Sequence, residues 1–527
     1  MANNKFINDQ WTLKDDLGIG RVGDEVARLV LEANAPFTVG VTGKWGSGKT
    51  SIMRRAYATL GGLPMQQKLA FADKPGVEGL DNENLRYSNQ NRQPSLSWPR
   101  SAIRVAEHTH CVWFSPWQHQ NEANPLIPLL LEIESQFKVW YEKSTAKNKT
   151  RQAFLAASTL LERVIDVGAS LINGKNVKIA SGTTEAVTKA WQQGDDGLTK
   201  ISDGQRFHLL FEDAVNTVLA ATDNVVKAQT HARLVIFIDD LDRCEESQII
   251  QLLEAIKLYL HSKRCIFVLG LDETAVLDAL NRHWERGEDI NREYLEKLFQ
   301  ARISVPLPVP ASMLDVVKKQ LINNGIGKEN VKENEKDIAA YMANDIVNLL
   351  EPNPRKVKNF VNGLVAQWRI LDAKSWINEE NIEEARRFVM FFYIQQYHRS
   401  IWRLLERQPE VLMYLKFVLG RDGAADKPKE IEGFGSEQQQ MLTEILKRAF
   451  SHILPNREDT NDDKDKHGSQ KIDDAVTDFI NRQDRKRSDE YLITLFEALI
   501  DINMPLNLNY LMINSQNNPQ TVSNDND

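Results

Sequence analysis

The chain has 527 residues, enough for two to four domains, because single hydrophobic cores rarely grow beyond about 250–300 residues. Its 65 basic and 73 acidic residues give a net charge of −8, and this balance argues against a uniformly basic surface for nucleic acid. The 3 cysteines have no paired metal-ligand spacing, which argues against a disulfide framework and favours a reducing compartment.

The first third of the chain contains a phosphate-binding loop pattern. A segment with helical spacing at residues 24–33 precedes an apolar run at 37–41, which we interpret as the first strand. The motif GKWGSGKT, Gly43–Thr50, follows at once and leads into a second helical segment. Its glycines permit backbone angles that turn successive N–H groups towards phosphate oxygens, and the helix N-terminus adds a positive partial charge.

This loop predicts a nucleotide site that uses ATP and Mg²⁺. Lys49 supplies a charge to the outer phosphates, and the same turn places the Thr50 hydroxyl on a magnesium ion. The expected nucleotide-binding residues are the whole loop and the residue after it: Gly43, Lys44, Trp45, Gly46, Ser47, Gly48, Lys49, Thr50 and Ser51.

The strands that follow are separated by long segments. A polar stretch at 61–101 is interpreted as an insertion, and a mostly helical segment at 144–204 as an excursion from the core. Further strands are predicted at 111–114, 234–238, 265–269 and 303–305, with helices between them. This alternation predicts an α/β fold with a doubly wound parallel sheet. Trp113, Phe114 and Trp117 are expected to pack in its core.

Everything after the PLPVP segment has helical spacing, so we place a domain boundary there. We expect a nucleotide-binding core at 1–306, a helical lid domain at 307–398, a C-terminal helical domain at 399–513 and a disordered tail at 514–527. No secretory leader or membrane-spanning run is visible, and we expect a cytoplasmic protein that does not bind membranes.

Acidic residues follow the predicted strands, where ligands of open parallel sheets bind. Asp239 is the expected magnesium partner, and Asp240 the catalytic residue that polarises water. The alternative is that both carboxylates cap the next helix. Asp272 ends the following strand and either orients the water or caps a helix. Arg355, after two prolines at a helix start, is a candidate sensor of the γ-phosphate, or a surface arginine.

The amino-acid sequences of several segments are similar to those of one protein family. The chain contains, in order, GKWGSGKTS, VWFSPWQHQNEANPL, VIFIDDLDRC, FVLGLDETAV, YLEKLFQARISVPLP and NPRKVKNFVN. This combination resembles the KAP family of P-loop NTPases, which belongs to the additional-strand class of P-loop ATPases. The resemblance implies that Lys49 and Thr50 hold phosphate and magnesium, Asp239 magnesium and Asp240 the attacking water, while Arg355 is the sensor.

Many KAP proteins carry transmembrane helices between the loop and the acidic strand, whereas the insertion here is amphipathic. That difference implies a soluble bacterial member. Several such members are ATPase components of antiphage defence systems, and overall size points to the Qat system among them. Residues 400–527 lie outside the resemblance.

These patterns lead us to expect a nucleotide-dependent switch or assembly component in a multi-protein defence complex, with protein partners and self-association. Three alternatives stay open. A P-loop kinase does not need the Asp239–Asp240 pair. A nucleic-acid translocase or nuclease subunit is disfavoured because neither a nuclease site nor an extended basic track is visible. A scaffold that holds nucleotide without turnover is compatible with the same motifs.

Overall fold

The computed structural model describes most of the chain up to residue 407. The described ranges are 11–12, 15–60, 109–122, 125–143, 203–226, 232–258, 262–284, 288–329, 337–373 and 381–407, with scattered positions between 156 and 162, at 440, and between 487 and 499. The predicted insertion at 61–101, nearly all of 144–204 and the predicted tail at 514–527 lie outside them. The chain divides into two compact units, Gln10–Pro306 and the helices from Leu307 onward.

The first unit is built on a five-stranded parallel sheet. Its strands are β1 (Phe37–Thr42), β2 (Thr109–Phe114), β3 (Arg233–Ile238), β4 (Cys265–Leu271) and β5 (Ala301–Ser304). The strand order is β2-β3-β4-β1-β5, and every neighbouring pair is parallel. The predicted parallel sheet is therefore confirmed. One strand, β4, lies between the loop-bearing strand β1 and the acidic strand β3.

Helices cover both faces of this sheet. They are α1 (Gly20–Glu32), α2 (Lys49–Thr59), α3 (Leu126–Lys143), α4 (Asp203–Val226), α5 (Glu246–Leu258), α6 (Glu273–His283) and α7 (Glu288–Leu298). Alternate residues of β3 enter different cores: Leu234, Ile236 and Ile238 pack with α3, α4 and α5, whereas Val235 and Phe237 pack with α1 and α2. A strand buried on both faces reads as a continuous apolar run, which explains the sequence of β3.

Two partly buried polar contacts hold α1 against the loop-bearing helix α2 and the sheet. Arg55 donates two hydrogen bonds to the buried carboxylate of Asp24, at 2.9 and 2.8 Å. The guanidinium of Arg233 donates to the carbonyls at the end of α1, the shortest bond being 2.8 Å to Ala33. These bonds satisfy carbonyl groups that a helix end leaves without partners. The helix that bears Lys49 and Thr50 is thus fixed from outside the sheet.

The second unit is helical throughout its described part. It contains α8 (Pro310–Asn323), α9 (Ile338–Leu349), α10 (Pro354–Ala373), α11 (Ile382–Tyr397) and α12 (Arg399–Arg407). A bidentate pair between Arg386 and the fully buried Asp345 joins α11 to α9, with bonds of 2.8 and 3.0 Å. The division of residues 307–513 into two domains stays a prediction, because most of the chain after residue 407 is outside the described ranges.

The three cysteines are all buried and unbridged, as the sequence indicates. Burial raises the pKa of Cys244 and of Cys265 to about 12, so these thiols stay protonated at neutral pH. In the described part of the chain, no helix has the length and apolar character needed to cross a membrane.

Candidate functional site

The phosphate loop connects β1 to α2 at the carboxyl edge of the sheet. Gly46 and Gly48 have positive φ angles of 83° and 102°, which side chains rarely permit. A Cβ atom on Gly43 would lie 2.7 Å from Ser47 Oγ, so a larger residue would not fit that turn. The loop therefore has the backbone geometry that its sequence predicts, and α2 begins at Lys49.

Lys49 is buried within this loop and makes three contacts. Its ammonium donates hydrogen bonds to the carbonyl oxygens of Gly43 at 2.8 Å and Lys44 at 3.4 Å, and to Asp242 Oδ2 at 3.1 Å. The ammonium is thus held beside the loop, where it would contact a phosphate chain bound to the loop amides.

Thr50 and Asp239 meet beside the loop. Asp239 follows β3, is only 3% exposed, and is held by a backbone bond of 3.0 Å from its N–H to the carbonyl of Phe114. Burial, with the neighbouring charge of Asp240, raises the pKa of Asp239 from 3.8 to about 6, although a hydrogen bond from the Thr50 hydroxyl and the charge of Arg54 lower it. A hydroxyl and a carboxylate are oxygen ligands of the type that Mg²⁺ prefers.

Asp240 lies next to this pair in an unusual backbone conformation. It is the single non-glycine residue with a positive φ, 59°, in the described part of the chain. Its Oδ1 accepts an ion-pair contact of 2.8 Å from Arg243, and its side chain is 22% exposed. The carboxylate is thus reachable by water but is oriented by a cation. It does not cap the short turn at Leu241–Arg243 through its side chain.

Comparison with known proteins identifies this arrangement. A family model described as the KAP family P-loop domain matches residues 22–371, about two thirds of the chain. The chain belongs to the KAP family of P-loop NTPases. The loop, the parallel sheet and the acidic residues after β3 all lie within the matched residues, and so do α8, α9 and most of α10.

A curated relative of this KAP protein is the "Phage T7 exclusion protein" of Escherichia coli (strain K12), 23% identical over 303 residues. The alignment covers 56% of this chain and 34% of that relative, so the chain spans about a third of the relative's length. Two solved structures of the Aeropyrum pernix ORC2 protein, one with ADPNP and ADP and one with ADP, align with a TM-score of 0.29. They are 10% and 9% identical, and each alignment covers 94% of this chain and 96% of the other.

The KAP site fits a magnesium–nucleotide complex. Ser47 Oγ is buried in the loop and has no hydrogen-bond partner among the described residues, as expected of a group that meets a phosphate oxygen. Lys49 would supply a fixed charge, and Thr50 and Asp239 would supply two oxygen ligands. Lys44, Trp45 and Ser51 complete the predicted set. Trp45 is 61% exposed, and the Ser51 hydroxyl accepts a 3.2 Å bond from the N–H of Thr12.

Asp272 occupies the alternative role that the sequence allowed. It is the N-cap of α6, and its Oδ1 accepts a 3.2 Å bond from the N–H of Thr274. It nevertheless follows β4 at the same edge of the sheet, because the N–H of Gly43 bonds the carbonyl of Leu271 at 3.3 Å. Its proposed contact with water or the γ-phosphate stays a prediction.

Arg355 belongs to the second compact unit, where it lies in the first turn of α10. Asn353 Oδ1 accepts the N–H of Arg355 at 3.0 Å and that of Lys356 at 3.2 Å, so this asparagine caps the helix. The predicted helix start is present. The role of Arg355 as a sensor stays a prediction from the sequence.

One expectation about the aromatic residues was wrong. Trp113 stacks on Phe237 with ring centroids 5.7 Å apart, and Phe114 is buried, as expected of core residues. Trp117, however, is 41% exposed and lies 5.5 Å from the Arg243 guanidinium. The reason is local: the chain leaves the sheet after β2 in a short 3₁₀ turn, Pro116–His119, which carries Trp117 out of the core.

Sequence reasoning also missed one cation and one acid at the site. Arg54 lies one turn after Thr50, with its guanidinium 3.4 Å from the ring centroid of Trp113. Burial lowers the pKa of Arg54 to about 10, while the charges of Tyr57, Asp239 and Asp240 act to raise it, so Arg54 is charged at neutral pH. Arg54 is four residues after Thr50, and this helical spacing could have indicated that both side chains lie on the same face of α2. The other missed residue is Asp242, the partner of Lys49 and the third acid of the segment DDLD.

Proposed function

We propose that this KAP protein binds ATP with magnesium, hydrolyses it, and acts as a nucleotide-dependent switch or assembly component in bacterial antiphage defence. One observation supports the catalytic part most strongly. The Thr50 hydroxyl donates a hydrogen bond to the buried Asp239 carboxylate, beside a loop whose Gly43 carbonyl holds the Lys49 ammonium. A hydroxyl, a carboxylate and a lysine at one edge are the groups that nucleoside triphosphate hydrolysis requires.

Each residue has a distinct task in this proposal. The loop amides and Lys49 bind the phosphates, and Thr50 and Asp239 hold the magnesium ion. When bound, the ion neutralises charge on the β- and γ-phosphates. Asp240 accepts a proton from water, because its side chain is partly exposed and Arg243 fixes one of its oxygens at 2.8 Å. Arg54 balances the two neighbouring carboxylates.

The defence role is supported by the family and by the relative. The Escherichia coli relative is named for phage exclusion, and the alignment with it covers 56% of this chain. We propose that the protein works with protein partners from adjacent genes, as in a Qat-type system, and that nucleotide controls self-association or partner binding. Nucleic acid is a further ligand to be tested in the same assays.

The enzymatic proposal is tested with the purified full chain. We expect phosphate release from ATP over many turnovers, dependent on Mg²⁺ and lost in Lys49→Ala. Two exposed residues away from the site provide matched controls: Lys263→Ala, before β4 at the opposite edge of the sheet, removes a positive charge, and Asp278→Asn on α6 removes a negative one. ATP binding without phosphate release would favour the scaffold alternative. Release only with duplex DNA would favour a nucleic-acid-associated ATPase, and transfer to a small molecule would favour a kinase.

The defence proposal needs an infection assay. A bacterial strain that carries the gene with its flanking genes should show fewer plaques than one carrying Lys49→Ala in the same genes. Equal plaque numbers across a panel of phages, with both proteins at equal abundance, would contradict a nucleotide-dependent defence role.

A further inference from the structure

Lys49 and Asp242 form a buried ion pair inside the candidate nucleotide site. The two charged atoms are 3.1 Å apart, and the side chains are only 8% and 6% exposed. These residues are 193 positions apart in sequence, so the fold brings them together. Lys49, the residue proposed to supply the positive charge that contacts the phosphates, is therefore already paired with a carboxylate.

The contacts of Lys49 account for all three of its N–H donors. The carbonyls of Gly43 and Lys44 accept two of them, and Asp242 Oδ2 accepts the third. A phosphate oxygen that binds this ammonium must therefore replace at least one of these acceptors. Asp242 is the acceptor that carries a full negative charge, and its charge opposes that of an incoming phosphate.

The turn after β3 places Asp242 in this position. Leu241 is fully buried and anchors the short 3₁₀ turn at Leu241–Arg243. The positive φ of Asp240 starts that turn, and the N–H of Arg243 bonds the Asp240 carbonyl at 3.2 Å. Arg243 pairs with the Asp240 side chain, so neighbouring acids have different cations. Asp240 contacts Arg243, and Asp242 contacts Lys49.

We propose that Asp242 is a built-in competitor of the phosphates for Lys49, and that it sets the affinity of the site for nucleotide. This inference rests on the proposed nucleotide site and adds a residue to it. Without nucleotide, Asp242 neutralises the buried ammonium, which would otherwise be costly to desolvate. When phosphates bind, they take over that role, and Asp242 gives up its contact. Binding energy is spent on this exchange, so the site binds nucleotide more weakly than the loop alone would permit.

The proposal predicts a gain of affinity from the loss of an acidic residue. Asp242→Asn removes the competing charge, keeps the shape, and leaves Lys49 with its two carbonyl acceptors. We expect Asp242→Asn to bind ADP about tenfold more tightly than the wild type, because two like charges within a partly buried site repel strongly. A merely structural ion pair predicts the opposite, since breaking it destabilises the folded loop.

The test is a calorimetric titration of ADP into the full chain in EDTA, which removes any part that Asp242 plays near magnesium. Wild type, Asp242→Asn, Asp242→Ala, Lys49→Ala and the control Asp278→Asn are compared, and thermal unfolding checks that each is folded. Support consists of tighter ADP binding by the Asp242 variants, wild-type affinity in Asp278→Asn, and loss of binding in Lys49→Ala.

Three results would overturn the inference. Unchanged or weaker ADP binding by folded Asp242 variants, with binding lost in Lys49→Ala, removes the competitor role and leaves the nucleotide site standing. Failure of both Asp242 variants to fold identifies the pair as structural. Absence of ADP binding in every protein, the wild type included, removes the proposed function and this inference with it.

Discussion

Asp239→Asn should stabilise the magnesium-free protein at neutral pH while removing its ability to hold magnesium. The reason is the pKa of Asp239, which burial raises from 3.8 to about 6. The folded form binds this proton more tightly than the unfolded chain does, so the stability of the folded form falls as the pH rises from about 4 to about 6. A shift of about 2 pKa units corresponds to about 3 kcal/mol of unfolding free energy.

The asparagine removes the buried charge but keeps an oxygen for the Thr50 hydroxyl. The pKa of about 6 already includes the attraction of Arg54, so we expect a gain of about 3 kcal/mol at pH 7.5 in EDTA. At pH 5 the wild-type carboxyl is mostly protonated in the folded protein, and the gain should fall to about 1.5 kcal/mol. Urea unfolding followed by tryptophan fluorescence measures both values, with Asp278→Asn as the control.

Excess magnesium should reverse the order of stability, because an ion that binds only the folded wild type stabilises it. The reasoning is refuted if Asp239→Asn is the less stable protein at pH 7.5 in EDTA. It is also refuted if its gain is the same at pH 5 and pH 7.5.

Two further predictions concern the other candidate residues. Asp240→Asn should still bind Mg²⁺ and ATP, but its single-turnover hydrolysis should be at least about 100-fold slower. Asparagine tolerates the positive φ but cannot accept the proton. Unchanged hydrolysis would rule out Asp240 as the base, and loss of binding would identify it as a metal ligand. If Arg355 senses the γ-phosphate, as the sequence predicts, Arg355→Ala should bind ATP with modestly lower affinity but should not change shape with nucleotide. Small-angle scattering with ADP and with a non-hydrolysable ATP analogue measures this change. A response like that of the wild type would identify Arg355 as a surface residue.

The sheet was predictable because its central strands are continuous apolar runs followed by acidic residues. The runs that became β3 and β4 are apolar on both faces and end at Asp239 and Asp272, as strands of a covered parallel sheet do. The loop was predictable because its glycines have no substitute at those backbone angles. The bounds of helix α7 were not predicted, since its segment is rich in charged residues and has few apolar ones.

The side-chain partners in the site were not predictable, because they depend on tertiary geometry. The contact of Lys49 with Asp242 requires a buried turn that begins with a left-handed Asp240, and aspartate enters that conformation only when its surroundings favour it. Trp117 has the composition of a core residue, and only the turn after β2 shows that it faces solvent. Asp272 had two plausible roles in the sequence, and the structure shows its hydrogen bond to the start of α6.

The central claim is that Lys49, Thr50 and Asp239 form one magnesium–nucleotide site, and a titration of Mg²⁺·ATP tests it most directly. Calorimetry with the full chain should show binding by the wild type, and Lys49→Ala should lose it, because bare loop amides would face the phosphates without their fixed cation. Thr50→Val and Asp239→Asn should still bind ATP in EDTA yet gain nothing from added magnesium. Equal Mg²⁺·ATP affinity in the wild type and Lys49→Ala, or an undiminished effect of magnesium in the other two variants, would contradict the account.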